Sequence, residues 1–171
     1  MISRREFTAA ALGAVTTLAA AETAAASTQQ APAAASGPAP LKTEFLMDIT
    51  LDVSAPQNLG TRRIVPVTGG TFEGPKLKGT ALGGGADWIL VRPDGVSELN
   101  VRVTLRTDDE QLIYLTYRGL LFTPKGGEQY WRTTPIFETG AAKYEWLNKI
   151  IAVGVGKTVP GKAAYSIYHI L

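Results

Sequence analysis

From Leu41 onward apolar and polar residues alternate with a period of two, and this constrains the fold more than any other feature of the chain. In 44–53 one face reads Phe45, Met47, Ile49, Leu51 and Val53; the other reads Glu44, Leu46, Asp48, Thr50 and Asp52. Successive side chains of a strand point to opposite faces, so this pattern is a strand with one dry side and one wet side. The stretch 99–107 repeats it, with Leu99, Val101, Val103 and Leu105 set against Asn100, Arg102, Thr104 and Arg106. Further strands are predicted over 63–68, 76–82, 88–92, 111–122, 130–137, 150–157 and 163–170. Turn signals separate them: RPDG at 92–95, TDDE at 107–110, PKGG at 124–127 and VPG at 159–161. The one helical candidate is GAAKYEWLNK, 140–149.

Eight or nine short strands joined mostly by tight turns predict an all-β fold, a single antiparallel up-and-down β-barrel of about eight strands with one short helix. One-sided alternation favours antiparallel pairing. Closure into a barrel removes the exposed sheet edge. The stretch GGTFEGPKLKGTALGGGADW (69–88) is rich in glycine but lacks the spacing of a phosphate loop, and no amphipathic helix follows it. Its glycines are read as bends between strands.

The chain opens MISRREF, an arginine pair followed by a weakly apolar, alanine-rich run to about residue 21, with small-residue cleavage sites ending at Ala21 and Ala26. The run is too short to span a membrane as a helix, and the arrangement resembles a twin-arginine export signal over 1–26. The segment STQQAPAAASGPAP, 27–40, reads as a disordered linker. The folded domain is expected over 41–171, in the periplasm or secreted, with no stable membrane anchor after cleavage.

Composition excludes several chemistries. The chain of 171 residues has no cysteine, so disulfides, thiolate metal sites and cysteine nucleophiles are absent. Its single histidine, His169, sits in the last strand away from any nucleophile-elbow sequence. A net charge of +2, scattered along the chain, predicts no nucleic-acid surface. Neither a cofactor fingerprint nor a metal site is recognised; the Asp108-Asp109 pair reads as a solvated turn.

The motifs RRIVPVTGGTFEGPKLKGTALGGGADW, VRPDG, LRTDD, YRG and RTTPIFETGAAKYEWLNKIIAVGVG occur in order. Together they resemble the bacterial and fungal family known as domain of unknown function 3237, or uncharacterised protein family 0311, over nearly all of 41–171. The resemblance implies a β-barrel of about eight strands, and some fungal relatives are associated with ring-forming chemistry on aromatic compounds. The chain departs from the family at TDDE, where Asp-Asp-Gly is usual, and in the loop before Tyr130, which looks short.

The candidate site residues are charged and aromatic groups within or beside the strands. Glu138, Arg132 and Tyr117 are the catalytic candidates, with Arg as the anion binder and Glu or Tyr as acid and base. Trp88, Arg106, Tyr130, Trp146 and Asn148 are the ligand-binding candidates. Tyr130, Arg132 and Glu138 share one face of a regular strand. On the outer face these groups would make weak ion pairs; inside the barrel mouth they would form a site. If the apolar face of 44–53 fills the barrel, little interior space is left and a pocket exists only at one end. Three readings follow: a cofactor-free lyase, isomerase or cyclase acting on a small aromatic or hydroxylated compound; a non-catalytic ligand-binding barrel; or a packed structural module that forms homo-oligomers.

Overall fold

The structure is a computed structural model and describes residues 39–171; the expected export signal and all but the end of the linker lie outside the described residues. The predicted barrel is present. Ten strands form one antiparallel sheet: β1 (Thr43–Val53), β2 (Gln57–Leu59), β3 (Arg62–Glu73), β4 (Lys78–Ala81), β5 (Gly85–Val91), β6 (Ser97–Thr107), β7 (Leu112–Phe122), β8 (Tyr130–Glu138), β9 (Ala152–Val159) and β10 (Lys162–Ile170). Pairing runs β1-β10-β9-β8-β7-β6, continues through β4 and β5 to β3, and closes where β3 meets β1. β4 and β5 lie end to end beside β3, pairing with Gly70–Glu73 and Arg62–Val67 respectively. They share one position of an eight-position barrel, and β2 is a short addition on β3.

Alternation becomes burial as the period-two pattern requires. Ile49, Leu51, Val101, Val103, Leu105, Ile113 and Leu115 point inward and are almost fully buried. The helical candidate is a 3-10 helix, Ala142–Lys149, rather than an α-helix. Its buried residues, Tyr144 and Leu147, are three apart, and a 3-10 helix brings side chains at that spacing onto one side. It packs across the end of the barrel where β8 stops and β9 starts.

Asp109 fastens the helix there. Its carboxylate accepts hydrogen bonds from Thr107 Oγ1, from Tyr144 Oη at 2.9 Å and from Lys143 Nζ at 2.6 Å. The Lys143 ammonium and then the Thr107 hydroxyl hold its pKa well below the usual carboxylate range. The acidic turn is therefore tied to the helix rather than merely solvated.

The glycine stretch makes corners. β1 against β3 shifts register beside Thr68, and β4 gives way to β5 across Leu82–Gly84. Gly70 has φ 151°, and a Cβ there would overlap the Thr50 carbonyl of the neighbouring strand. Gly84 has φ 98°, the left-handed region that side chains disfavour. These positions let three strands bend together.

Candidate functional site

At the barrel end opposite the 3-10 helix the inward side chains become sparse and leave a cavity of about 120 Å³. Its wall is mostly aliphatic, from Leu51, Val53, Val65, Val67, Ile89 and Val101. Four groups with polar atoms stand in this apolar wall: Asp87, Tyr117, Trp131 and Tyr165.

Register places them. Asp87, Val101 and Tyr117 form one inward row across β5, β6 and β7. Tyr165 on β10 opposite Ile49 and Trp131 on β8 enter from the other side. The Tyr117 and Tyr165 rings meet edge to face at 5.2 Å, and Trp131 meets Tyr165 in the same way at 5.1 Å. Trp131 fits because β9 has Gly156 beneath its indole, where a side chain would collide with the ring. The three rings cross the barrel and floor the cavity, while Met47, Leu105, Ile113 and Phe137 fill the interior towards the helix.

Asp87 is the group that packing alone does not explain. The β5–β6 ladder is interrupted beside it, and its Oδ1 takes the free Asn100 amide at 2.9 Å. That amide is its one donor among the described residues. Burial dominates and pushes its pKa up to about 6, only partly offset by the Asn100 hydrogen bond. The Tyr117 hydroxyl is driven well above its ordinary value, first by burial and then by Tyr165 and the Asp87 charge. Tyr165 is likewise raised, chiefly by burial. Trp131 Nε1 is buried without a hydrogen-bond partner. The cavity thus holds a carboxyl able to exchange a proton near neutral pH, two phenols that stay protonated and can donate hydrogen bonds, and an indole N–H without a hydrogen-bond partner. A compound with an acidic hydroxyl or a carbonyl would find both a base and donors there.

Of the residues expected from sequence, Tyr117 lines this cavity and the others lie elsewhere. Tyr130, Arg132 and Glu138 do share a face, and it is the outer one. Arg132 stacks on Tyr130 at 5.1 Å, while Trp88, also outward, stacks with Arg102 at 5.1 Å. Arg106 pairs with Glu110 at 3.5 Å on the surface. Trp146 packs against the core at the helix end beneath Lys76, and Asn148 clips the chain by bonding both the N–H and the C=O of Thr139. His169 bonds Glu44 at 3.1 Å, also at the helix end.

Asp87, Trp131 and Tyr165 escaped sequence reasoning. The strand GADWILV did carry a signal: its Asp87, Ile89 and Val91 face is apolar but for one acid. Among the described residues no group of three or more His, Asp and Glu is placed to hold a metal ion, and no helix is long and apolar enough to cross a membrane.

Comparison with known proteins agrees with this architecture. Residues 40–170 match the model of a family described as "Protein of unknown function (DUF3237)". A UPF0311 protein of Rhodopseudomonas palustris is 32% identical over 149 residues, covering 77% of this chain and 97% of the relative. A crystal structure of a beta-barrel like protein from Acinetobacter baumannii superposes with a TM-score of 0.74 at 35% identity, covering 80% of this chain and 99% of that one. A crystal structure described as an enzyme from Penicillium herquei shares the fold at 23% identity and a TM-score of 0.65, covering 80% of this chain and 98% of that one.

Proposed function

This chain belongs to the DUF3237 family, and on that premise we propose that the open end of its barrel binds a small phenolic or hydroxylated aromatic compound and moves a proton on it. The observation that carries the reading is Asp87, a carboxyl held in an aliphatic cavity by a single backbone amide with its pKa pushed up to about 6. Buried acids cost stability, and perturbed ones concentrate where they are used. A cavity of about 120 Å³ takes roughly a single ring, since an apolar cavity of about 150 Å³ accommodates benzene. A larger compound would insert one ring and leave the rest at the mouth. The Penicillium herquei relative, described as an enzyme, supports catalysis by this fold.

In this reading Asp87, ionised at neutral pH, is the general base that takes a phenolic or α-carbonyl proton. Tyr117, Tyr165 and the Trp131 N–H donate to the oxygen that gains charge. These residues supply proton transfer alone, which suits an isomerase, a lyase or a cyclase. A panel of phenols, aromatic acids and quinone-like compounds, screened by thermal stabilisation, tests binding; a ligand at one hundred times its Kd stabilises by about 2.7 kcal/mol. Turnover of a binder that Asp87→Asn abolishes while binding persists assigns the base. Absence of any stabilising compound across the panel counts against the pocket.

We also propose that the arginine pair Arg4-Arg5 directs export of the folded barrel. Expression in a bacterial host with Arg4→Lys and Arg5→Lys tests it: retention of the uncleaved chain in the cytoplasm is expected, and unchanged processing counts against it.

A further inference from the structure

We propose that the outer wall of the barrel carries a second binding site, separate from the interior cavity, that takes a small organic anion with an apolar body. The site is a groove of about 660 Å³ on the outer side of β7, β8 and β9, within the usual size range of ligand pockets. Leu120, Val153 and Val155 give it an apolar surface, and Arg118, Arg132 and Tyr130 stand along it.

The charge pattern points to the ligand. Among the described residues six lysines, together with Arg92 and Arg106, lie in ion pairs with carboxylates. Of the seven described cations outside such pairs, Arg62, Arg102, Arg118 and Arg132 are exposed on one outer face; Lys42, Arg63 and Lys125 are the others. Cross-strand register joins Arg62, Leu90, Glu98, Leu120, Arg132 and Val155 in a row from β3 to β9. Glu98, the one carboxylate of that row, is engaged by Arg92 at 3.2 Å. In the next row Arg118 stands between Asn100 and Thr134. It borders the main groove and two smaller hollows, one with Arg102 and one with Arg62.

Like charges gathered on one face repel, and elsewhere the fold compensates most of its cations with carboxylates. Here an external anion would do so. Arg132 and Arg118 sit diagonally on neighbouring strands, a spacing that long side chains bridge. Arg132 is steadied by Tyr130 and by donating to the Trp131 carbonyl at 2.9 Å. A carboxylate or sulfonate held between the two guanidiniums would lay its hydrocarbon on Leu120, Val153 and Val155.

The probe is 8-anilinonaphthalene-1-sulfonate, titrated by fluorescence into the full chain, with the uncharged N-phenyl-1-naphthylamine as its comparison. The expected result is one saturable sulfonate site, weakened at least tenfold by Arg118→Gln with Arg132→Gln and weakened by salt. Val155→Glu, which sets an acid in the groove, should weaken it similarly, with thermal melts confirming that each variant folds. Binding of the sulfonate that is unchanged in these variants overturns the proposal. So does equal loss of the uncharged probe, or binding lost only when Ala163→Phe fills the interior cavity. A dimer in sedimentation that Arg118→Gln dissociates also overturns it, by assigning the face to a second copy of the chain.

Discussion

Asp87 Oδ1 accepts the backbone amide of Asn100 at 2.9 Å, so a side chain takes the place of a rung in the β5–β6 ladder. The exchange leaves a carboxyl inside the barrel.

Asp87→Asn should stabilise the protein at neutral pH. The folded-state pKa is raised to about 6, above the ordinary aspartate value, so ionising Asp87 opposes folding. Stability is lost as pH rises from about 4 to about 6 and stays lower above that. Asparagine keeps an oxygen for Asn100 and carries no charge. The gain should be about 1–3 kcal/mol at pH 7.5 and vanish below about pH 4. Denaturant melts of both proteins at pH 7.5 and pH 3.5 measure it; equal stability at pH 7.5 would show the carboxyl to be well solvated.

Glu110→Gly should raise stability by roughly 0.5–1 kcal/mol. Glu110 has φ 61°, the one positive φ outside glycine among the described residues. Its ion pair with Arg106 spans 3.5 Å between exposed groups and offers little in return. A lower melting temperature for the variant would give that pair more weight than its exposure allows.

Gly70→Ala should cost about 3 kcal/mol or leave the chain unfolded. The added methyl would overlap the Thr50 carbonyl, which the β1–β3 closure holds in place, and φ 151° disfavours any side chain. Gly60→Ala meets no atoms, and its φ of 77° strains only a surface turn, so a smaller loss is expected. The difference between the two midpoints is the measurement, and similar losses would contradict the corner role of Gly70.

Tyr144→Phe should loosen the 3-10 helix by removing its 2.9 Å hydrogen bond to Asp109, at a cost of about 1–2 kcal/mol. Because the Asp109 pKa is lowered, the clamp holds above about pH 4 and is lost as pH falls through the folded value. Hydrogen exchange of the 142–149 amides should quicken in the variant, while exchange in β6 and β7 stays slow. Uniform quickening would mean that the helix is part of the global unfolding unit.

The strands were legible because inward and outward residues must alternate once a sheet has one dry face, and Met47–Val53 and Leu99–Leu105 carry that rule without interruption. Phe45 and Leu46 show its limit: a register shift between Phe45 and Met47 buries Leu46 with the core despite its place in the polar set and leaves Phe45, expected on the dry face, exposed. The bends were legible at Gly70 and Gly84, since few other residues tolerate those dihedrals. The 3-10 form of the helix was not, although its apolar spacing of three was present.

The site was legible only at Tyr117. Period two tells which residues share a face of one strand, but not which face turns inward, and so it grouped Tyr130, Arg132 and Glu138 without revealing that they face solvent. That choice depends on the neighbours: Trp131 points inward because β9 offers Gly156 beneath it. Asp87, Tyr117, Trp131 and Tyr165 lie on four strands, from residue 87 to residue 165, and share no local motif. The sequence by itself determined the barrel, because alternation and turn chemistry act over a few residues. Only closure of the barrel decided the site, because it brings distant positions to one end and makes a carboxyl there costly enough to change its chemistry.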